Sequence, residues 1–197
     1  MEFIDIYDEN NNPLGYKLER KIVHEKNLWH RHASCWIMNE KGEILLQQRS
    51  YNKKKNPGCF SKTGGHVSSG ETPYEAIKRE VLEEIGLQIS DDKIIEIDIF
   101  KSNNNDHYFS YGYIVFTNLK ENEFILQKEE VESVKYFTIE QLEEYKRLND
   151  VNFTFNKWNT ESFFEQMNIL KKYRNFNKLW FFCFLPIINI LFIYKNN

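Results

Sequence analysis

Three glutamates within one helical turn are the residues of this chain best suited to do chemistry. Glu80, Glu83 and Glu84 stand at positions i, i+3 and i+4, which places their carboxylates on adjoining faces of a helix. One interpretation is an ordinary solvated acidic face, in which like charges repel by about 0.2–0.5 kcal/mol per pair. The other is a site for Mg²⁺ or Mn²⁺, because hard cations take oxygen ligands and would turn the repulsion into coordination.

The residues around these glutamates predict a loop that leads into a helix. Thr72 suits the N-cap, Pro73 suits the first helical position, and Glu75 completes a capping box. Apolar residues at i, i+4 and i+8 predict a buried stripe: Ile77, Val81 and Ile85. Gly86 offers a left-handed stop. We therefore expect a loop from Gly64 onward and a helix from about Pro73 to about residue 85.

The same stretch resembles the Nudix box at every defining position. The residues that match the box are Gly65, Glu71, Arg79-Glu80-Val81, Glu83-Glu84 and Gly86-Leu87. From average residue usage, a chance match in this chain has a probability on the order of 10⁻⁷. The resemblance implies an α/β fold, a Nudix α/β/α sandwich with a mixed sheet and an N-terminal β-hairpin. It also implies Mg²⁺- or Mn²⁺-dependent hydrolysis of a nucleoside diphosphate or another small organic diphosphate.

The resemblance further implies a role for each matching residue. Glu80, Glu83 and Glu84 are expected to bind the metal, with the carbonyl of Gly65 nearby. Arg79 would orient a glutamate of the helix, and Glu71 would support the loop. Diphosphate hydrolysis needs a divalent ion to neutralise phosphate oxygens and acidify water, and a carboxylate to accept the proton. The base differs between Nudix proteins, and Glu80 is our first choice.

A branch within this family is indicated by residues 3 to 145, which resemble type I isopentenyl-diphosphate isomerase. A predicted hairpin of Phe3 to Tyr7 and Leu14 to Leu18 begins the match, and segments from Trp29-His30 to Asn56-Pro57-Gly58 continue it in order. This resemblance implies that Arg20 and Arg49 grip the diphosphate, for which a planar guanidinium is suited.

The isomerase resemblance also implies a metal role for three histidines: His24, His30 and His66. Taken singly, each is more often a structural or surface histidine. His32 and His107 have no such support and are expected to be structural. Glu130 precedes a predicted strand, where many Nudix hydrolases place a further metal ligand or base. The alternative for Glu130 is a charged loop.

Two departures from the isomerase argue against its allylic proton transfer. Gly64 stands where the isomerase has its acidic cysteine, and no glutamate occurs in the predicted strand at residues 109–112. We therefore expect a hydrolase, with isopentenyl-diphosphate isomerase as the nearest rival. A third alternative is a non-catalytic diphosphate-binding module, against which the complete set of box glutamates argues.

The amino-acid composition limits the number of domains, the class of partner and the cellular compartment that can be expected. The 197 residues, 41% of them hydrophobic, suffice for one core, and the net charge of −3 gives no reason to expect a nucleic-acid partner. Three cysteines without a CxxC spacing and an acidic start predict a cytoplasmic protein. We expect one Nudix domain over residues 1–172 and a basic, then hydrophobic tail over residues 173–197.

The tail leaves three alternatives open. Residues 179–194 are apolar except for Pro186 and Asn189, which is short for a membrane-spanning helix. A segment buried on the domain or in a homodimer interface, a membrane-associated tail, and a disordered extension all remain, with the membrane the less expected partner. Before the tail, strands are predicted at 93–100, 107–118 and 134–137, and helices at 138–147 and 160–172.

Overall fold

The structure is a computed structural model that describes residues 2–103 and 106–180. Two strands at the N-terminus form an antiparallel hairpin: β1, Phe3–Tyr7, and β2, Pro13–Glu19. Seven further strands build one sheet: β3, His30–Met38; β4, Ile44–Arg49; β5, Phe60–Ser61; β6, Thr63–His66; β7, Ile94–Asn103; β8, His107–Phe116; and β9, Val131–Phe137. The hairpin predicted from the sequence is confirmed.

The seven-stranded sheet is mixed. Its strands follow the order β5-β4-β3-β8-β7, with β9 also paired to β4 and β6 also paired to β3. The β3 and β8 strands run parallel, whereas the remaining pairs are antiparallel. Because successive side chains of a strand face opposite sides, the strands β3, β4, β8 and β9 supply residues to both layers of the core.

Helix α1, Arg20–Glu25, packs on the N-terminal hairpin. The two faces of the sheet are covered by α2, Pro73–Ile85; α3, Ile139–Arg147; and α4, Thr160–Trp180. On one face, residues of α2 pack against Ala33, Cys35 and Tyr113 of the sheet. On the other, residues of α3 and α4 pack against Trp36 and Ile114. The architecture is therefore the expected α/β/α sandwich.

Helix α2 has the local structure that its sequence predicts. Thr72 Oγ1 accepts the Glu75 amide at 3.2 Å, and Glu75 Oε2 accepts the Thr72 amide at 2.8 Å. Gly86 ends the helix with φ = 69°, a conformation that glycine adopts without steric cost. The apolar stripe Ile77, Val81 and Ile85 is fully buried.

Some elements were not predicted. Gly64 and Gly65 belong to β6 rather than to a loop, because their backbone pairs with Ser34 and Ala33 of β3. Helix α1 and strand β5 were also missed. Helix α4 runs without a break past the boundary predicted after residue 172, to Trp180.

The N-terminal hairpin is attached to the loop before α2. Asp5 Oδ1 accepts the Ser69 hydroxyl at 2.7 Å, and its Oδ2 accepts the Gly70 amide at 2.9 Å. The Ser69 amide donates to the Phe3 carbonyl at 2.8 Å. The loop that carries Glu71 is thus held by a strand far from it in sequence.

Within the described part of the chain, no helix has both the length and the apolarity needed to cross a bilayer. The predictions for the tail fall largely on residues 181–197, which lie outside the described residues.

Candidate metal and diphosphate site

Arg79 connects the acidic residues of α2 with the loop before it. Its Nε and Nη2 donate to the two oxygens of Glu71 at 2.9 and 3.0 Å. Its Nη1 donates to Glu80 at 2.8 Å and to Glu83 at 3.2 Å, and Nη2 also reaches the His66 carbonyl at 3.1 Å. A planar guanidinium can satisfy several fixed acceptors in this way, whereas an ammonium cannot.

The carboxylate of Glu80 lies directly against the backbone of Gly65. A Cβ atom at Gly65 would collide with both Glu80 oxygens and their carbon, so only glycine allows this approach. Burial raises the pKa of Glu80, and Arg79 counteracts that rise. Strand β6 and helix α2 therefore bring together the two box positions that the sequence separates by fourteen residues.

Glu84 is buried, with 6% of its surface exposed. Its Oε2 accepts a hydrogen bond of 2.9 Å from Nε2 of Gln47, whose Oε1 accepts the Thr63 hydroxyl at 3.5 Å. Burial raises the pKa of Glu84 to about 7. The three glutamates are thus not one solvated face, because Glu84 points inward while the side chain of Glu83 is 54% exposed.

Arg49 and Glu130 lie toward the Glu84 side of the site. Glu130 raises the pKa of Glu84 and Arg49 lowers it, in addition to the larger effect of burial. Lys53 Nζ contacts the Glu130 oxygens at 2.5 and 2.7 Å. Arg49 donates from Nε to the Lys55 carbonyl at 3.1 Å. The Lys53–Glu130 ion pair was not predicted from the sequence.

Three histidines form a compact cluster. One nitrogen from each of His24, His30 and His66 lies within 4.8 Å of the other two, and His24 Nε2 is 2.9 Å from His66 Nε2. His24 Nδ1 is 3.0 Å from Asp106 Oδ1, and His30 Nδ1 is 3.0 Å from the Leu28 carbonyl. The Asp106 carboxylate and the Leu28 carbonyl are both acceptors, so Nδ1 of His24 and of His30 carries the proton. The lone pair on Nε2 of each of these two rings is therefore available to the cluster.

Burial keeps two of these imidazoles, those of His30 and His66, neutral. It lowers the pKa of His30 and strongly lowers that of His66. The adjacent His32 has a pKa of about 3 for the same reason. Metal ions bind neutral imidazole, so the cluster is chemically ready to act as a ligand set. His107 lies apart and stacks on Trp29 at 4.6 Å between ring centroids.

Arg20 lies at the entrance to the histidine cluster. It lines a depression of about 400 Å³ together with Glu2, Glu19, Lys21 and His24. Its Nη1 forms an ion pair of 2.9 Å with Glu2. Arg20 therefore lies beside the histidines, and Arg49 lies near Glu84. The two arginines flank the predicted site residues from opposite ends.

Two donor sets fit a metal in different ways. The α2 set consists of carboxylates and the Gly65 carbonyl, which suit hard ions such as Mg²⁺ or Mn²⁺. In the described residues, however, only the histidines already have their ligand atoms gathered. Arg79 holds Glu80 and Glu83, and Gln47 holds Glu84. A set of three imidazoles suits transition metals instead.

The residues that hydrogen-bond to the two donor sets, Gln47 for Glu84 and Asp106 for His24, were not predicted from the sequence. Gln47 comes from β4 and Asp106 from the turn between β7 and β8. No sequence spacing connects Gln47 with Glu84 or Asp106 with His24. An isolated acidic residue in an asparagine-rich turn was the only signal for Asp106.

Comparison with known proteins extends these observations. The profile of the NUDIX domain matches residues 28–158. An uncharacterized Nudix hydrolase of Clostridium acetobutylicum is 33% identical over 150 residues, 72% of either chain. An isopentenyl-diphosphate Delta-isomerase of Corynebacterium diphtheriae is 35% identical over 98 residues, which are 49% of this chain and 52% of the isomerase. The match thus spans about half the length of that relative.

Solved structures agree with the fold. A protein of Deinococcus radiodurans superposes with a TM-score of 0.66 at 20% identity, over 87% of this chain and 98% of that one. The MutT protein of Methanosarcina mazei Go1 superposes with a TM-score of 0.55 at 23% identity, over 73% of this chain and 96% of its own. At such identities the likeness shows the fold alone.

Proposed function

Because this chain belongs to the Nudix domain family, we propose that it hydrolyses a small organic diphosphate with the help of Mg²⁺ or Mn²⁺. The observation that carries the proposal is the Arg79 network, in which Arg79 donates to Glu80, which lies beside the Gly65 backbone, and also to Glu83. Placing the carboxylates of Glu71, Glu80 and Glu83 around one guanidinium costs desolvation free energy that a stable fold does not require. A metal site accounts for this arrangement, because the glutamates can exchange their contacts with the guanidinium for contacts with a metal ion.

Each residue of the α2 set has a proposed task. Glu80, Glu83 and Glu84 would hold the metal with the Gly65 carbonyl, and the bound ion would neutralise phosphate oxygens and acidify a water molecule. Glu80 would accept the proton, since burial shifts its pKa in the direction that favours a base. Glu71 would keep Arg79 in place, and Arg49 would bind a phosphate. Glu130, freed from Lys53, would supply a further carboxylate.

The test is a substrate screen that follows two products. The protein is incubated with Mg²⁺ and a panel of nucleoside, sugar-linked and prenyl diphosphates, while phosphate release and double-bond migration are both recorded. Metal-dependent release of phosphate or a monophosphate supports the proposal. Binding without turnover of any panel member would indicate the diphosphate-binding module instead.

The histidine cluster supports a second proposal, a separate transition-metal site formed by His24, His30 and His66. We expect Co²⁺ to bind the protein and to give visible absorption typical of nitrogen ligands. His66→Ala should weaken Co²⁺ binding by about 10-fold or more, because only two imidazoles remain. Isothermal titration with the spectrum recorded in parallel measures this. His107→Ala is the matched control, since its ring lies outside the cluster. Equal binding by both variants would rule the site out.

We predict that the protein does not isomerise isopentenyl diphosphate. Gly64 has no side chain to deliver a proton, and a Cβ atom there would collide with the Ala33 carbonyl and crowd Ser34. Even Gly64→Cys is therefore expected to remain inactive as an isomerase. NMR of the incubated substrate measures this, and formation of dimethylallyl diphosphate at enzymatic rates would overturn the prediction.

A further inference from the structure

Strand β7 forms an open edge of the seven-stranded sheet. It is ten residues long and pairs with β8 on one side, and no strand within residues 2–103 and 106–180 pairs with its other side. Its outward backbone N–H and C=O groups can therefore pair with another extended segment. Two consecutive apolar residues of this strand, Ile99 and Phe100, are 50% and 40% exposed. Folded proteins usually cover an edge of this length that exposes apolar side chains.

A cavity adjoins this open edge. It has a volume of about 520 Å³, lies between β7 and α4, and is lined by the apolar residues Ile99, Phe100 and Ile169. Polar and charged side chains of the two elements, such as Asp98 and Lys172, complete its wall. A segment of polypeptide suits such a space, because its backbone groups need polar partners while its apolar side chains need an apolar surface.

Helix α4 carries the chain past one end of the sheet. Gln166 Oε1 accepts the indole N–H of Trp36 at 2.9 Å, and the side chain of Arg174 lies against Gly42, in the turn between β3 and β4. The helix therefore runs in the direction of β3. Its last residue, Trp180, follows Arg174 by six residues, which is about 9 Å of helix.

Strand β7 begins at this same end of the sheet. Because β8 runs parallel to β3 and β7 runs antiparallel to β8, the registers place Ile94 level with Ile37 of β3. They likewise place Phe100 level with His32, farther back along the sheet. A chain that leaves α4 and turns back at the edge of the sheet thus meets the first residue of β7, and then follows this strand to the cavity.

The chain beyond α4 has the length and the composition for this course. Residues 181–186 can span at most about 20 Å, and Pro186 lacks the N–H that a helix interior needs. The eight residues 187–194 follow, Ile-Ile-Asn-Ile-Leu-Phe-Ile-Tyr. Four of them are isoleucine and two are aromatic, residue types that are enriched in strands. Fully extended, these eight residues reach about 26 Å, which exceeds the length of β7 from Ile94 to Phe100.

Basic residues of α4 that precede this segment are used within the domain. Lys171 Nζ contacts Glu143 at 2.6 Å, and Arg174 Nη1 contacts Glu140 at 2.7 Å, both on α3. These ion pairs hold the second half of α4 on the domain, so the chain leaves the helix close to the sheet. They also occupy two of the positive charges that a membrane-surface anchor would offer to anionic lipids.

We propose that residues 187–194 of this chain lie along the open edge of β7 and cover the adjoining cavity. Their backbone would hydrogen-bond to the outward N–H and C=O groups of β7, and their apolar side chains would cover Ile99, Phe100 and Ile169. The inference does not depend on the proposed hydrolysis, because α2 and its glutamates lie on the opposite face of the sheet from α4.

Hydrogen exchange of the full chain tests the proposal. Ile190→Asp puts a charge into the apolar segment, so the segment should leave the edge and the backbone amides of β7 should exchange about 10-fold faster or more. Asn196→Asp adds the same charge beyond the segment and is the matched control. Strand β2 pairs only with β1 and should exchange at the same rate in both variants. Equal exchange of β7 in wild type and Ile190→Asp would overturn the proposal.

A substitution on the edge itself gives a second test. Ile99→Asp should release the segment, so the amides of residues 187–194 should exchange faster than in wild type. Leu14→Asp is the matched control, because Leu14 is 49% exposed on β2 and Ile99 is 50% exposed on β7. The amides of α2 show whether the fold is kept, since they exchange faster only if the domain opens. Equal exchange of residues 187–194 in both folded variants would contradict the proposed contact.

The same measurement distinguishes other occupants of the edge. Protection of β7 that rises with protein concentration, together with a dimer in analytical ultracentrifugation, would assign the edge to a second copy of the chain. Protection of residues 187–194 that appears only with vesicles of equimolar phosphatidylcholine and phosphatidylglycerol would assign the segment to a membrane surface. Either result would overturn the intramolecular position. Protection of both segments that is independent of concentration and present without vesicles is the expected result.

Discussion

Replacing Glu84 by glutamine is expected to lower kcat by about 10² or more on the best diphosphate substrate. The substitution keeps the size of the side chain but removes a charged oxygen ligand from the proposed metal site. Glu83→Gln should have an effect of similar size, although Glu83 is exposed and Glu84 is buried. Steady-state assays over a range of Mg²⁺ concentrations measure both variants.

Stability distinguishes loss of a ligand from loss of structure. Burial raises the pKa of Glu84 from 4.5 to about 7, so between these values the folded chain holds a proton that the unfolded chain has lost. Without metal, stability should therefore fall as the pH rises through this window, and Glu84→Gln should remove that contribution. Glu144→Gln on α3 is the matched control. Near-normal turnover by Glu84→Gln would contradict its role as a ligand.

Arg79→Lys should lower kcat/KM by about 10- to 100-fold, the usual effect of losing a group that orients metal ligands. Lysine keeps the charge but cannot hold both Glu71 oxygens while also reaching Glu80, Glu83 and the His66 carbonyl. The loop that carries Glu71 and the carboxylate of Glu80 should then move independently. The measurement is activity as a function of Mg²⁺, in which a higher metal requirement is expected.

Arg147→Lys makes the same exchange on α3, where the exposed Arg147 pairs at 3.5 Å with the exposed Glu144 and at 3.8 Å with the buried Glu143. It should leave both activity and metal requirement unchanged, because lysine keeps the positive charge and Glu143 retains its ion pair with Lys171. An unchanged metal requirement in Arg79→Lys as well would show that the arginine network does not organise the glutamates.

Sequence reasoning succeeded where the signal is local. The capping box at Thr72, the stripe of Ile77, Val81 and Ile85, and the stop at Gly86 all act within a few residues, and the helix begins and ends where they predict. The strands of the sheet were mostly found for the same reason, since alternation of apolar residues is also local. Strand β6 was missed because its two glycines carry no such alternation.

Features that depend on strand register could not be foreseen. The burial of Glu84 depends on Gln47 of β4, and the placement of Asp98 over Gly112 depends on the pairing of β7 with β8. The position of Asp98 beside the glycine-rich part of the sheet was not predicted from the sequence. Lys62 lies only two residues before Gly64, but its environment comes from Trp36 and Trp158.

The contact between Asp5 and the loop at Ser69 and Gly70 bears on how this domain is divided for engineering or transplantation. The matched NUDIX domain begins at residue 28, yet the loop that carries Glu71 is hydrogen-bonded to the first strand. The matched domain therefore begins after a strand that helps to hold the loop of its own motif. A chimera joined at residue 28 would keep the recognisable motif while releasing the support that holds its first glutamate in place.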